Sequence, residues 1–427
     1  MFRLFSTWRR RAPTPYATYF KGHHEESTPS LDAQAIDYHR RPPAGKMSTI
    51  PTKELETQLD LSLAYSPGVA APCRAIHKDP EEARHLTMRN NLVAVITNGT
   101  AVLGLGDIGP LAAKPVMEGK AALFHRFAGV QSINLEINER DPEKLAEIII
   151  ALEPSFGGVN LEDIKAPDCF LVEEICRREM NIPVFHDDQH GTAVCVVAAL
   201  KNALVVSGRQ IEDIKLVCSG AGASALASLN LLFASGLRRE NVVVVDSKGV
   251  IYKGRKKGMT PQKEAVATTS KVRTMEDALK GADVFLGLSS AGLLHPEWIK
   301  AMTGPPIILA LANPDPEVWP DDARRAVPDV IIGTGRSDFP NQVNNVLCFP
   351  YLFRGAFDAN ATKVTEKMLL AAANAIAELA QLAPTEEIKR LYPGEDLIFS
   401  PESLLPKPFD HRLLEHVAGA VAEAVEE

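Results

Sequence analysis

The amino-acid sequence predicts an α/β protein built from two domains with parallel sheets. The first observation is length, because 427 residues exceed what one ordinary hydrophobic core accommodates. The second is that short apolar runs alternate with helical stretches of ten or more residues, which is typical of βαβ units. The third is that these runs end in small or polar residues, as strands do where an α/β sheet meets its ligands.

The composition is that of a globular protein, with 45% hydrophobic and 23% charged residues. The net charge of −8 gives no reason to expect general affinity for nucleic acid. The six cysteines form no CxxC pair, which favours buried thiols in a reducing compartment over disulfides or a zinc site. No apolar run approaches the roughly 20 residues that a membrane helix needs, so no membrane partner is expected.

The N-terminal segment "MFRLFSTWRRRAPTPYATYFKGHH" has five Arg or Lys residues and no acid. This composition suits a mitochondrial transit peptide. A disordered bacterial extension, or a start assigned too early, explains it as well and is slightly favoured. We therefore treat residues 1–30 as a disordered or targeting extension. We expect a cytoplasmic protein, with a mitochondrial location as the alternative.

Residues 31–60 are polar and predict an arm with one short helix. "LVAVITNGTAVLGLGDIGP" then predicts two strands that turn at Asn98-Gly99, a hairpin signal. "VMEGKAALFHRFAGV" predicts a helix and "SINLEI" a strand. "DPEKLAEIIIAL" begins with Asp141 as N-cap and Pro142 at the first helical position. "GGVNLED" is a predicted strand, "APDCFLVEEICRREM" a helix and "NIPVF" a strand.

The alternation continues through the second half of the chain. "KLVCSGAG" and "NVVVVD" are predicted strands on either side of the helix "SALASLNLLFASG". "ADVFLGLS", "PIILALANP" and "DVIIGTG" are three further short strands. The tail "PESLLPKPFDHRLLEHVAGAVAEAVEE" has apolar residues at helical spacing.

Two acidic pairs follow neighbouring predicted strands. Glu162-Asp163 end "GGVNLED", and Asp187-Asp188 end "NIPVFHDD". A right-handed crossover makes two such strands parallel, so both pairs lie at the carboxyl edge of one sheet. Either acidic pair alone would be interpreted as a helix cap or as part of a surface loop. Together they predict a divalent cation with oxygen ligands, Mg²⁺ or Mn²⁺, because clustered carboxylates otherwise repel each other.

A glycine-rich turn in "VCSGAGASALASL" places Gly220, Gly222 and Ala225 between a strand and a helix. With the next strand ending at Asp246, this pattern predicts a dinucleotide site in which the helix N-terminus binds the pyrophosphate. Asp246 would bond the ribose and favour NAD, but Ser247 and Lys248 follow it and could accept a 2′-phosphate. The basic run 255–257 is interpreted first as a solvated loop and second as a phosphate contact.

Five further residues are weaker candidates. Asn313 in "ALANPDP" and the pair Asn344-Asn345 occur at turns, where amides are common. Beside a nucleotide cleft they are candidate contacts for a substrate carboxylate or the nicotinamide. Tyr65 and Lys120 are candidate acid and base, although by composition they suit packing and a solvated helix face. A lysine buried near a metal would have its pKa lowered and could serve as a base.

The motifs together resemble the malic enzyme family of the short bacterial type. They occur in the family's order over residues 31–425 and include the following stretches: "LSLAYSPGVAAPC", "NGTAVLGLGDIGP", "PVMEGKAALF", "GGVNLEDIKAP", "IPVFHDDQHGTA", "GAGASA", "LANPDPE" and "GTGRSDFPNQVNNVLCFP". The resemblance implies an N-terminal α/β substrate domain over 31–186. It also implies a Rossmann-like, doubly wound parallel-sheet cofactor domain over 187–427.

The implied activity is oxidative decarboxylation of (S)-malate to pyruvate and CO₂ with reduction of NAD(P)⁺. The resemblance implies that Lys120 is the general base, Tyr65 the general acid and Asp187 an acid near the lysine. The implied metal ligands are Glu162, Asp163 and Asp188. The implied pyrophosphate turn comprises Ala221, Gly222, Ala223 and Ser224. The implied substrate contacts are Asn313, Asn344 and Asn345. Asn313 also counts among the cofactor contacts.

Two positions depart from the family pattern. Ala225 replaces the more usual glycine, and Tyr351 stands where the family mostly has glycine. The chain also ends where larger relatives begin a phosphate-acetyltransferase-like domain, so that module is expected to be absent. By analogy a homodimer or higher homo-oligomer is expected. The alternatives are malolactic or oxaloacetate-decarboxylating activity at the same site, or a catalytically silent dinucleotide sensor.

Overall fold

The structure, a computed structural model, describes residues 30–102 and 104–425. The described residues up to Gly45 belong to one unit, and the described residues from Lys46 onward belong to another. The described part of the first unit contains helix α1, Leu31–Arg40, which begins where the Ser30 hydroxyl accepts a hydrogen bond from the Ala33 N–H. The predicted extension lies outside the described residues except for residue 30.

The second unit contains two sheets with helices between the strands. Its strands are β1 Leu92–Thr97, β2 Gln131–Glu136, β3 Gly158–Leu161, β4 Val184–His186, β5 Leu216–Ser219, β6 Val242–Asp246, β7 Gly249–Val250, β8 Val284–Gly287, β9 Ile307–Ala310 and β10 Ile331–Thr334. Its first eight helices are α2 Gln58–Ala64, α3 Ala70–Lys78, α4 Ala83–Leu86, α5 Gly109–Ala128, α6 Pro142–Ala151, α7 Asp168–Glu179, α8 Thr192–Ser207 and α9 Ala223–Ala234. The remaining helices are α10 Pro261–Ala265, α11 Met275–Leu279, α12 Pro296–Ile299, α13 Pro320–Ala326, α14 Phe349–Asp358, α15 Glu366–Gln381, α16 Glu386–Leu391 and α17 Arg412–Glu423.

The first sheet has the order β2-β1-β3-β4, with all strands parallel. The second has the order β10-β9-β8-β5-β6-β7, parallel except for the antiparallel edge strand β7. From β5 the chain builds outward to β6 and later returns to the other side of β5 at β8. Such a reversal of strand order opens a crevice at the carboxyl ends of the strands, where α/β proteins bind ligands. The predicted α/β fold with a Rossmann-like parallel sheet is confirmed.

The core joins the two sheets through helices α8, α14 and α15. One hydrophobic cluster contains Val93 and Val95 of β1 together with Leu216 of β5 and most of α8. Phe353 on α14 packs edge-to-face against Phe124 of α5. The first sheet therefore shares a continuous apolar core with the second, which holds their carboxyl edges near each other.

The predicted hairpin at Asn98-Gly99 is wrong. β1 pairs in parallel with β2 and β3, and the residues after it form a loop. Gly99 has a φ of +67°, as a hairpin turn would, but its carbonyl accepts hydrogen bonds from Ile108 and Gly109. The turn therefore leads into helix α5 rather than back along β1.

The expectation that no apolar stretch has membrane length also needs correction. Among the described residues, the helical stretch Asp187–Ser207 has 21 residues and is apolar enough to cross a membrane by length and composition. However, 67% of the most apolar 18-residue stretch of this helix is buried inside the protein, which is typical of a core helix.

Candidate active site

Acidic side chains gather at the carboxyl edge of the first sheet. In the parallel pair β3–β4, Leu161 is level with His186, so the next residues, Glu162 and Asp187, leave the sheet side by side. Asp163 has a φ of +54°, and its N–H donates to the Asp188 carboxylate at 2.8 Å. Two strand ends that are distant in sequence thus bring both acidic pairs together, as predicted.

The segment Asp187–Gly191 forms a single turn of π-helix that runs directly into α8. Turns of π-helix are rare in proteins as a whole, but those that occur are often found at functional sites. Gly191 has no room for a side chain, because a Cβ there would lie 2.0 Å from Asp187 Oδ1. The turn therefore folds back over the Asp187 carboxylate, which is completely buried.

Lys120 reaches the acidic cluster from helix α5. Met117, Lys120, Ala121 and Phe124 are buried on one face of that helix, at the spacing of an inward-facing stripe. The Lys120 Nζ lies 2.5 Å from Asp187 Oδ2 and 2.9 Å from Glu162 Oε1. It also lies 4.2 Å from the centre of the Phe349 ring, whose face attracts a cation.

The charges of this cluster do not balance. Burial alone would lower the pKa of Lys120, but the attraction of Asp187 and Glu162 outweighs it and raises that pKa. Burial raises the pKa of Glu162 well above its ordinary value, and Lys120 offsets only part of this. Burial raises the pKa of Asp187 as well. The lowered pKa expected from the sequence refers to a lysine beside a bound metal, whereas among the protein groups alone the carboxylates outnumber the one lysine and hold its proton.

Glu162, Asp163 and Asp188 fit a divalent cation. One carboxylate oxygen from each residue lies within 4.8 Å of the other two. Glu162 and Asp163 are buried, and the Asn160 amide orients the Glu162 carboxylate with a 2.9 Å hydrogen bond. Oxygen ligands around surplus negative charge are the donor set that Mg²⁺ and Mn²⁺ prefer.

The glycine-rich turn stands beside this acidic cluster. Gly220 has a φ of +116°, and a Cβ there would lie 2.3 Å from the Leu288 carbonyl oxygen. Gly222 faces open space at the start of α9, as a turn that admits a pyrophosphate must. The Ser224 hydroxyl donates to the Asp188 carbonyl at 2.6 Å. The candidate nucleotide turn, which includes Ala221 and Ala223, is therefore joined directly to the candidate metal site.

Asp246 ends β6 as predicted, but its carboxylate is already engaged. It accepts hydrogen bonds from the Arg255 guanidinium and from Lys263 Nζ at 2.8 Å. Burial would raise the pKa of Asp246, but these hydrogen bonds lower it. Arg255, interpreted from the sequence as part of a solvated loop, is buried.

The three asparagines occupy different surroundings. The Asn345 amide donates to Asp187 Oδ2, so this residue belongs to the buried cluster. The Asn344 side chain accepts from the Val346 N–H at 3.0 Å, which makes it a cap for the short 3₁₀ turn Asn345–Leu347. Asn313 follows β9, and a Cβ on Gly104, in the loop after β1, would lie 3.2 Å from its carbonyl oxygen. Asn313 thus lies where the loops of the two sheets meet.

Tyr65 lies at the surface of the chain. Its side chain is 70% exposed at the end of α2. Within residues 30–102 and 104–425, Tyr65 makes no hydrogen bond or ion pair with Lys120, Glu162 or Asp187. Its assignment as an acid therefore rests on the resemblance alone.

Glu173 is a supporting residue that the sequence reasoning missed. It is buried on α7, where one oxygen accepts from Gln189 Nε2 at 2.9 Å and the other lies 2.8 Å from His190 Nε2. Glu173 thereby fixes the π-helical turn that carries Asp187. The signal was available, because Cys169, Val172, Glu173 and Cys176 share helical spacing and place a charge on an apolar face.

The two departures noted in the sequence are packing positions. Ala225 and Tyr351 are both buried in the core shared by the sheets. Burial raises the pKa of Tyr351, so its hydroxyl stays neutral.

Comparison with known proteins identifies two regions of the chain. The family model described as malic enzyme, N-terminal domain, matches residues 44–145. The one described as malic enzyme, NAD binding domain, matches residues 189–398. The second match includes the glycine-rich turn and the whole of the second sheet.

Individual relatives agree with these matches. The chain is 56% identical to an NADP-dependent malic enzyme of Escherichia coli, over 93% of this chain and 52% of that protein. It is also 56% identical to an NAD-dependent malic enzyme of Rhizobium meliloti, with the same coverage of both chains. The chain thus spans about half the length of these relatives. The crystal structure of an NAD-dependent malic enzyme from Thermotoga maritima superposes with a TM-score of 0.82 at 42% identity, covering 93% of this chain and 99% of that one.

Glu173→Ala should destabilise the protein by about 2–3 kcal/mol, because it leaves the buried Gln189 and the partly buried His190 side chains without their acceptor. Chemical denaturation followed by circular dichroism measures this loss. Glu174→Ala is the matched control, since Glu174 is the exposed neighbour on the same helix. Equal stability of the two variants would show that Glu173 does not hold the turn.

Proposed function

Because the chain belongs to the malic enzyme family, we propose that it catalyses the oxidative decarboxylation of (S)-malate to pyruvate and CO₂ with reduction of NAD(P)⁺. The observation that carries this proposal is the position of the Lys120–Asp187–Glu162 cluster. It combines a buried base, carboxylates suited to a cation and a nucleotide turn bonded to the same acidic segment through Ser224.

Lys120 is the proposed general base that accepts the C2 hydroxyl proton of malate. The raised pKa of Lys120 means that it carries a proton when its neighbouring carboxylates are charged. It must release that proton before it can act. Asp187, 2.5 Å away and with its own pKa raised by burial, is the proposed acceptor. The Asn345 amide donates to the same Asp187 oxygen and keeps the carboxylate aimed at the lysine.

Glu162, Asp163 and Asp188 are the proposed ligands of Mg²⁺ or Mn²⁺. When bound, the cation would neutralise charge at the C1 carboxylate and C2 oxygen of malate, while the nicotinamide would accept the hydride from C2. The ligands also have an electrostatic role toward Lys120. A cation shared by Glu162 and its neighbours would offset the charge that holds the Lys120 proton, so metal loading and base activation are coupled.

The remaining polar groups are proposed to position substrate and cofactor. Asn345 and Asn313 are assigned to the substrate carboxylate and the nicotinamide amide, since amides can donate and accept at once. Asn344 is proposed to act through its neighbour, because its own side chain caps the turn that presents Asn345. The turn from Gly220 to Ser224 is proposed to hold the pyrophosphate.

We also propose that the protein is a homo-oligomer. Leu59, Leu61, Leu63 and Tyr65 are all exposed on one segment, and such a run of apolar side chains typically marks an interface. Tyr65 is the proposed acid that protonates C3 after CO₂ leaves. Since Tyr65 does not contact the buried cluster within one chain, we propose that its role requires the oligomer.

Lys120→Ala should lower kcat for malate oxidation by about 10²–10⁴-fold, the contribution of a positioned base, while leaving nucleotide binding intact. Formation of NAD(P)H followed at 340 nm and nucleotide titration by calorimetry measure the two effects. Lys114→Ala on the same helix is the control, because Lys114 pairs with Glu136 away from the cluster. Near-normal turnover of Lys120→Ala would disprove the base assignment.

Asp188→Asn should weaken Mn²⁺ binding by on the order of 100-fold, since it removes a charged ligand. Electron paramagnetic resonance of free Mn²⁺ measures the affinity without any need for turnover. Asp168→Asn supplies the control, as Asp168 begins α7 outside the acidic cluster. An unchanged titration would remove Asp188 from the ligand set.

Sedimentation velocity should give at least twice the chain mass of 46.4 kDa. The double variant Leu59→Asp/Leu63→Asp should sediment as a monomer and lose activity, because it places charge on the proposed interface. Leu391→Asp, a change at another exposed leucine, should leave the mass unchanged. A fully active monomeric wild-type enzyme would refute both the oligomer and the dependence of Tyr65 on it.

A further inference from the structure

Glu317 is a buried acid to which the proposed mechanism gives no role. It lies in the loop between β9 and α13 and is completely buried. Its hydrogen-bond donors are two backbone N–H groups and one hydroxyl, and within residues 30–102 and 104–425 it forms no ion pair. Burying a carboxylate without a cationic partner is costly. The groups that Glu317 holds must therefore account for an acid at this position.

The Glu317 carboxylate connects the loops that follow two neighbouring strands. Its Oε1 accepts from the Ser289 N–H at 2.9 Å and from the Ser289 hydroxyl at 3.2 Å, just beyond β8. Its Oε2 accepts from the Ala312 N–H at 3.0 Å, just beyond β9. Each oxygen thus serves a different loop at the carboxyl edge of the second sheet. One carboxylate therefore fixes the separation between these two loops.

Gly287, the last residue of β8, makes room for this carboxylate. A Cβ at Gly287 would lie 2.4 Å from Glu317 Cδ and within 2.7 Å of both carboxylate oxygens. The backbone of Glu317 is held as well, because its carbonyl accepts from the Leu294 N–H at 3.0 Å. Close packing and hydrogen bonds together determine where the carboxylate lies.

Ser289 continues the connection to the glycine-rich turn. Its Oγ lies 2.8 Å from the Oγ of Ser219, the last residue of β5. Since the Ser289 hydroxyl donates to Glu317, the Ser219 hydroxyl is the donor between the two serines. A Cβ on Gly220 would lie 3.5 Å from Ser289 Cβ. Ser289 therefore packs against the beginning of the turn that is proposed to hold the pyrophosphate.

Ala312 continues the connection to the other side of the cleft. It immediately precedes Asn313, the proposed contact for the nicotinamide or the substrate. The Asn313 amide packs closely against the loop after β10, because a Cβ on Gly335 would lie 3.0 Å from both Nδ2 and Oδ1. The Asn313 side chain thus has little freedom of its own. Its place follows from its backbone, which Glu317 holds at Ala312.

We propose that Glu317 is a positioning residue for hydride transfer. Through Ser289 and Ala312 it sets the distance between the pyrophosphate turn and Asn313, and so the place of the nicotinamide relative to C2 of malate. A carboxylate suits this role because it offers two acceptor oxygens and no competing donor. Glu317 itself contacts neither substrate nor cofactor. This inference rests on the proposed function and assigns it a further residue.

The test replaces Glu317 by glutamine, which has nearly the same shape but only one acceptor oxygen. Whichever way the amide turns, its NH₂ group faces one of the two backbone N–H donors, so one loop must move. Single turnovers are followed at 340 nm with Mn²⁺, saturating malate and enzyme in excess over NAD(P)⁺. Under these conditions the rate constant does not depend on the fraction of enzyme that is folded.

We expect the single-turnover rate constant of Glu317→Gln to fall by roughly 10–100-fold, since a misplacement of about 1 Å can cost that much. Glu297→Gln is the matched control, because Glu297 is an exposed glutamate on α12. Its rate constant should equal that of the wild type. An unchanged rate constant in Glu317→Gln, with only a lower melting temperature, would show that Glu317 merely stabilises the fold and would overturn the proposal.

Calorimetry without malate provides a measurement that needs no turnover. It compares the complete oxidised nucleotide with its ADP-ribose portion, which reaches the turn but lacks the nicotinamide. Glu317→Gln should weaken binding of the complete nucleotide by roughly fivefold, the equivalent of one hydrogen bond, and leave ADP-ribose binding unchanged. Equal losses for both probes, or equal affinities of the wild type for them, would overturn the proposed link to the nicotinamide.

Ser289→Ala tests the same connection if Glu317→Gln does not fold. It keeps the backbone hydrogen bond to Glu317 and removes only the hydroxyl link to Ser219. We expect a lower single-turnover rate constant, and an unchanged one would overturn the connection to the turn. A wild-type protein that does not oxidise malate with either nucleotide would instead overturn the proposed function, so the two failures are distinguishable.

Discussion

One buried lysine faces more carboxylate charge than it can neutralise, and the site depends on that imbalance. Lys120 bonds both Asp187 and Glu162, while two further acids stand within the same cluster. Burying unpaired charge is costly, so the fold must offset it. It does so partly by raising the pKa of the carboxyl groups and partly by offering their oxygens as a cation site. The same electrostatic deficit therefore underlies both the proposed cation site and the proposed control of the lysine proton.

The scaffold holds this imbalance in place through rigid elements. Parallel pairing of β3 and β4 fixes the two acidic strand ends at the same level. The π-helical turn then redirects the chain into the buried helix α8, and Glu173 anchors that turn from behind. Ser224 joins the turn to the nucleotide loop. A displacement of the cofactor loop would consequently be transmitted to the proposed metal ligand Asp188 through a single hydrogen bond.

Much of this arrangement could be predicted from the sequence, because its signals are local. Alternating strands and helices indicated both sheets, and the acidic pairs at strand ends indicated their meeting point. The failures arose where a distant partner decides the outcome. The turn at Gly99 has the conformation of a hairpin turn, but its bonds lead to α5. The pKa of Lys120 likewise depends on how many acids the fold brings around it, and the 70% exposure of Tyr65 is set by the packing of α2 rather than by the residue type.

The nucleotide site illustrates why a motif needs its partners to be interpreted. An acid after the second strand normally indicates a ribose contact because its oxygens are available. In this chain Arg255, nine residues later, bonds both oxygens of Asp246, so the acid already makes hydrogen bonds within the chain. The carboxylate pairs with both Arg255 and Lys263. Because groups of the chain itself can occupy the oxygens of such an acid, the number of free acceptor sites on the acid is more informative than its presence.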